Sequence, residues 1–178
     1  YEMGTLLNIC AECGHAYVDG IGMDQDELNR WYQRGDTSPD LHGQDSHERL
    51  QKLTAQIATY RGINSSLDVG GLYSNLKNMV PGMEVVGAGM PIEKCYDLVV
   101  ISHCLEHVYA MNEFMAQIMA HTNPGGRILI EIPIFADYHT EPGYDYHWYH
   151  ISKFRVTDIG RLLTRFGYKD LRGGALDD

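Results

Sequence analysis

Tyr96-Asp97-Leu98-Val99-Val100-Ile101-Ser102-His103-Cys104-Leu105-Glu106-His107-Val108 is the stretch that decides the fold. It opens as an unbroken apolar run between Asp97 and Ser102, the pattern of a strand buried on both faces in a parallel sheet covered by helices. It closes on a polar cluster, His103, Glu106 and His107. Ligands of open parallel α/β sheets gather beyond the carboxyl ends of the strands, so chemistry is expected at this cluster.

Downstream, Met111, Phe114, Met115, Ile118 and Met119 recur at helical spacing and predict a helix packed on that strand. Asn123-Pro124-Gly125-Gly126 stops it, and Arg127–Ile132 reads as the next buried strand. Upstream, Ser66-Leu67-Asp68-Val69-Gly70-Gly71 is a short strand running into a glycine pair, where the backbone can turn sharply and approach a ligand. Met83–Gly87 gives another strand. Leu50, Leu53, Ile57 and Tyr60 predict an amphipathic helix from Ser46 that ends at Arg61-Gly62. Asp137, His139, Glu141, Asp145, His147 and His150 alternate with Tyr138, Tyr144, Tyr146, Trp148 and Tyr149 in one long loop. Thr157-Asp158 then starts a helix with Ile159, Leu162, Leu163 and Phe166 inward and Gly167 as its stop, and Tyr168–Leu171 begins a last strand. This order of elements predicts an α/β fold with a mainly parallel sheet flanked by helices.

Residues 1–43 read as a small N-terminal appendage and 44–178 as the α/β domain. Within the appendage, Cys10-x-x-Cys13-Gly14 is either half of a four-ligand zinc site, with His15 as a third ligand, or two reduced cysteines in a tight turn. Asp24-Gln25-Asp26-Glu27 has capping-box spacing and leads into Leu28, Trp31 and Tyr32 as a short helix. A polar linker follows over 35–43.

The formal charge of −10 argues against a surface that tracks nucleic-acid phosphates. No run is long and apolar enough to span a bilayer, and no basic-then-apolar leader starts the chain. Four cysteines, of which two are close together, do not form a disulfide framework, so a reducing cytoplasm is the expected setting. The first residue is Tyr1 rather than Met, which leads us to expect further chain before it.

Taken together, several motifs resemble class I S-adenosylmethionine-dependent methyltransferases of the small-molecule and sugar-modifying type. Leu67-Asp68-Val69-Gly70-Gly71 resembles the family's first nucleotide-binding motif. Met90-Pro91-Ile92 with Tyr96–Val108 is similar to its loop and fourth strand, and Asn123–Ile130 to the turn into its fifth. His147–Phe154 and the helix ending Phe166-Gly167-Tyr168 resemble its substrate-side loop and helix. Cys10–Val18 with Trp31-Tyr32 is similar to the zinc-ribbon-like prefix of some members. The pattern departs from the family in three places. Leu72 stands where a further glycine is usual. No acid marks the end of the second strand, which in the family grips the ribose. Only about a dozen residues separate Gly71 from Val85-Val86, where the family fits a helix, a strand and another helix. The resemblance thus implies a Rossmann-like class I methyltransferase fold that is incomplete.

It also implies a transferase that moves a methyl group from S-adenosylmethionine to a small-molecule acceptor, a hydroxyl of a sugar or secondary metabolite, with neither nucleic acid nor membrane as partner. Asp68, Gly70, Gly71, Ser102 and His103 would face the cofactor. His103, His139, His147 and His150 are the candidate bases for the hydroxyl proton. Cys10 and Cys13 form a possible partial zinc site. His103-x-x-Glu106-His107 also matches the inverted zinc-protease motif, so a metal-dependent hydrolase is one alternative. The same three residues could hold a divalent metal within a methyltransferase, as in some ubiquinone-pathway O-methyltransferases. A degenerate fold serving as a binding module without catalysis is the remaining alternative.

Overall fold

A computed structural model describes residues 6–12, 15–19, 24, 26–27, 30, 43–70, 76–87, 90–134 and 150–173. Its centre is a four-stranded parallel sheet ordered β4-β3-β5-β6, built from β3 (Ser66–Val69), β4 (Glu84–Val86), β5 (Tyr96–Ser102) and β6 (Thr122–Glu131). The decisive stretch is a central strand, as its apolar run predicts. Leu98, Val99, Val100 and Ile101 are all 0 % exposed, and burying side chains of this size contributes about 1.5–3 kcal/mol each. The alternation of strand side chains divides them between two cores. Leu98 and Val100 pack with Leu50, Leu53 and Ile57 of helix α1 (Gly43–Ala58) and Leu76 of the short helix α2 (Leu76–Met79). Val99 and Ile101 pack with Phe114, Met115 and Ile118 of α3 (Met111–Ala120) and Ile159, Leu162 and Leu163 of α4 (Val156–Arg165). Met119, expected on the inward face of α3, is instead 45 % exposed. Eight residues along the helix from Met111, it has rotated off the buried stripe.

Asp97 organises one end of this sheet. Its carboxylate accepts the backbone N–H groups of Asn64 and Ser65 at 2.9 and 3.1 Å and Asn123 Nδ2 at 2.8 Å. The turn expected to precede β6 is accommodated within it. Pairing passes from Tyr96↔Thr122 to Leu98↔Arg127, so residues 123–126 bulge out opposite Asp97. Gly126 is required there, since a Cβ would stand 2.8 Å from the Asn123 carbonyl.

The short span after β3 also has a structural explanation. β4 lies directly beside β3, so the short stretch between them, which includes α2, has only to cross to the neighbouring parallel strand. Such a connection needs about a dozen residues. The chain then passes from β4 to β5, on the other side of β3, through residues 87–95, with no helix among those described.

A second sheet, β1-β2-β7, is antiparallel, formed by β1 (Leu6–Ile9), β2 (Ala16–Asp19) and β7 (Ser152–Lys153). Through it the N-terminal hairpin is paired with the chain that leads into α4. Val18 N–H donates to the Ile151 carbonyl at 2.8 Å, and the His15 ring lies 5.0 Å from that of Phe154. The capping box at the start of the N-terminal helix is formed. Asp24 N–H donates to Glu27 Oε2 at 3.1 Å and Glu27 N–H to Asp24 Oδ1 at 2.7 Å. Leu28, Trp31, Tyr32 and the linker over 35–42 lie outside the described residues.

The strand expected at Tyr168–Leu171 is absent, because the chain curls back on the end of α4. Gly167 has φ +82°, Tyr168 N–H donates to the Leu163 carbonyl at 3.0 Å, and Asp170 at φ +56° breaks any extended run. Among the described residues no helix is long and apolar enough to cross a membrane.

Candidate active site

The carboxyl ends of β3 and β5 meet because the two strands pair in register, Asp68↔Val100 and Val69↔Ile101. Asp68 is fully buried there. Gly70 leaves β3 at φ +84°, a conformation that glycine adopts without strain, and its N–H donates to the Val86 carbonyl at 2.8 Å. Gly71 lies outside the described residues.

Ser102 and His103 stand at the end of β5. The Ser102 hydroxyl is turned inward and donates to Glu131 Oε2 at 2.6 Å. Arg49 Nη1, reaching in from α1, donates to Ser102 Oγ at 3.1 Å and to the same Glu131 oxygen. His103 takes the opposite course. Its backbone is left-handed at φ +46°, its N–H donates to the Glu131 carbonyl at 2.9 Å, and its side chain is 44 % exposed. The turn therefore presents this imidazole outward at the carboxyl edge of the sheet.

A short 3₁₀ turn, Leu105–His107, follows. Glu106 is 1 % exposed, and among the described residues neither carboxylate oxygen is in a hydrogen bond. His103 Nδ1 lies 3.4 Å and His107 Nε2 3.7 Å from Glu106 Oε1, both longer than a hydrogen bond. Beneath the turn, burial pushes the Cys104 thiol pKa far up, and the carboxylates of Glu106 and Asp68 add to the effect, so the thiol stays protonated.

Of the remaining candidate bases, His150 is placed beside His107, ring centroids 4.9 Å apart, while His139 and His147 lie outside the described residues. Glu106, His107 and His150 can each direct one ligand atom so that all three lie within 4.8 Å of one another, whereas His103 is not in this group. This corrects the sequence reading of His103, Glu106 and His107 as a metal triad and as an inverted-protease motif. That motif needs both histidines on one helical face, and His103 sits in a left-handed turn ahead of the 3₁₀ segment. In the appendage, Cys10 N–H donates to the His15 carbonyl at 2.8 Å, which closes the hairpin, and Cys13 lies outside the described residues.

Two site residues escaped the sequence reading. Glu131 was legible as an acid ending an otherwise apolar buried strand. Arg49 carried no comparable signal, because a charged residue beside the apolar stripe of an amphipathic helix is ordinary.

A family model for a methyltransferase domain matches residues 2–172. No curated protein matches the sequence. Among solved structures, human N-acetylserotonin methyltransferase in complex with S-adenosylmethionine superposes with a TM-score of 0.57 at 15 % identity, covering 87 % of this chain and 54 % of that one. The S-adenosylmethionine-dependent methyltransferase SibL in its apo form gives 0.50 at 18 % identity, covering 68 % and 48 %. A candidate methyltransferase from Bacillus halodurans C-125 gives 0.50 at 16 % identity, covering 66 % and 68 %. The chain thus spans about half the length of the first two. At these identities the likeness establishes the fold, a class I methyltransferase arrangement of a parallel sheet flanked by helices.

Proposed function

Because the chain belongs to the methyltransferase domain family, we propose that it transfers a methyl group from S-adenosylmethionine to a hydroxyl of a small molecule, a sugar or a secondary metabolite. The observation that carries this reading is the meeting of Asp68 and Gly70 at the end of β3 with Ser102 and His103 at the end of β5, on the one edge of the parallel sheet where ligands collect. The glycine turn after β3 fits the close approach of a cofactor. Asp68, Gly70 and Gly71 would hold its nucleoside side, with Ser102 and His103 towards its methionine end. S-adenosylmethionine supplies an electrophilic methyl on a sulfonium, which leaves as a neutral thioether.

The protein's part is to align the acceptor oxygen with that methyl and to take its proton. His103 is the base we favour over His139, His147 and His150. Its outward imidazole has Nδ1 towards Glu106, which leaves Nε2 as the ring nitrogen directed away from the protein carboxylate. The methyl acceptor is taken to be a small molecule because the charge of −10 disfavours a polyanionic one.

A binding module without catalysis is the second reading, and β4 is the observation that favours it. This strand, directly beside β3, ends at Val86, and the sequence that follows it, Gly87-Ala88-Gly89, holds no carboxylate to grip a ribose. Calorimetric titration of the full chain with S-adenosylhomocysteine separates the two. Micromolar binding that is lost in a folded Asp68→Asn variant is the expected result. A folded chain that ignores the ligand sinks the methyltransferase reading and leaves the binding module.

A further inference from the structure

Glu106 presents a physical problem that the methyl-transfer reading does not use. A carboxyl group at 1 % exposure, with both oxygens outside any hydrogen bond among the described residues, is costly unless a close partner or a metal ion stabilises it. Among the described residues, the imidazoles of His103 and His107 stand at ion-pair rather than hydrogen-bond distance from Oε1, 3.4 and 3.7 Å. A separation near 3.7 Å does suit two ligands of one ion. Nitrogen and oxygen ligands about 2.1 Å from a tetrahedral centre lie about 3.4 Å apart.

We propose that Glu106, His107 and His150 bind a divalent transition-metal ion of the zinc type, which clasps the turn after β5 to the segment entering β7. The three ligand atoms already lie within 4.8 Å of one another, and small side-chain rotations of about 1 Å would bring them onto a tetrahedral ion. Two imidazoles with one carboxylate select zinc, cobalt or a similar ion over magnesium or calcium, which prefer all-oxygen shells. A water or one more protein group completes the four. Glu106 and His107 are enclosed, with side chains 2 % and 11 % exposed, which shields the ion from bulk water. It joins two parts of the chain that sequence separates widely, the 3₁₀ turn at Leu105–His107 and residue 150, which precedes the β2–β7 pairing. The inference is independent of the proposed methyl transfer.

The test uses the full chain with Cys10→Ser and Cys13→Ser, which removes the thiolate pair as a competing site. After dialysis against a chelator, cobalt(II) is titrated in and its visible d–d absorption followed, with zinc stoichiometry measured by elemental analysis. One equivalent per chain is expected, without a thiolate charge-transfer band. Glu106→Gln and His150→Ala should each weaken binding by at least about tenfold, the lower end of what even indirect support of a metal site is worth. Glu106→Gln also replaces the buried acid with a neutral amide of the same shape. It should therefore fold without metal, and its Tm should not respond to zinc, whereas the parent's Tm rises. Absence of stoichiometric binding by the folded parent, or affinity undiminished in both variants, overturns the proposal.

Discussion

Gly70 and Cys104 are in contact at the carboxyl edge of the sheet so closely that a Cβ on Gly70 would stand 2.6 Å from Cys104 Cβ and 2.7 Å from its Sγ. The contact locks the turn after β3 against the segment after β5, the two halves of the candidate active site. Gly70→Ala therefore meets two penalties, about 1–2 kcal/mol for a left-handed backbone at φ +84° and about 1–3 kcal/mol for overpacking. Urea denaturation should show a loss of about 2–5 kcal/mol, with S-adenosylhomocysteine binding lost in parallel. A loss below about 1 kcal/mol, the usual scale of a surface change, would show that the turn can move away from Cys104.

The same packing makes Cys104 chemically silent. Burial raises its thiol pKa, so the thiolate that would react is scarce, and the side chain is only 3 % exposed. Iodoacetamide applied to the native protein should label the exposed Cys95 and leave Cys104 unmodified, as peptide mapping can establish. Denaturation should expose it.

Arg49 and Glu131 tie α1 to the ends of β5 and β6 through the Ser102 hydroxyl. Arg49→Ala would leave the 8 % exposed Glu131 carboxylate with that hydroxyl as its one partner among the described residues. Since removing one partner of a buried pair costs about 3–5 kcal/mol and Arg49 is part-exposed, about 2–4 kcal/mol is expected. Adding Glu131→Gln should recover most of the loss, because the uncompensated charge disappears with it. Additive effects in this double-mutant cycle would mean that the two side chains do not interact.

How much of this was legible follows from how local each signal is. β5 and its neighbours were readable because an apolar run between Asp97 and Ser102 has one interpretation in an α/β chain, and Gly70 because a glycine after such a strand serves a turn. The cluster at Glu106 was only half readable. Sequence adjacency grouped His103 with Glu106 and His107, but a single left-handed residue turned His103 outward, and β2–β7 pairing lies next to the partner that replaced it, His150. Arg49 and Glu131 are 82 positions apart, a pairing that no periodicity predicts. The final strand failed for the same reason in reverse, since the apolar letters of Tyr168–Leu171 do not reveal that Asp170 takes a positive φ.

His15 makes the docking of the N-terminal hairpin pH-dependent. Burial holds its pKa below 6.5, with Asp158 at 4.0 Å opposing the shift and Arg155 adding to it. The folded chain binds this proton more weakly than the unfolded chain does. Its contribution to stability is therefore complete above about pH 6.5 and is lost as the pH falls through the lowered folded value. His15→Phe keeps a ring against Phe154 and cannot titrate. Thermal melts between pH 7 and 5 should show a smaller drop in Tm for the variant than for the parent. Parallel curves would remove His15 from the pH response.

His103 is where the proposed chemistry is most exposed to test. Its φ of +46° makes His103→Asn the informative substitution, because asparagine tolerates the left-handed region that alanine resists. As a general base, His103 should be worth about 10²–10⁴ in kcat, read in single-turnover assays with an accepted hydroxyl substrate. His103→Asn should change the shape of the parent's pH–rate profile, since asparagine cannot act as a base. A structural role would lower stability and leave the shape of the pH profile intact. If His103→Asn leaves both kcat and the shape of the pH profile unchanged, the base is not at the exposed end of β5.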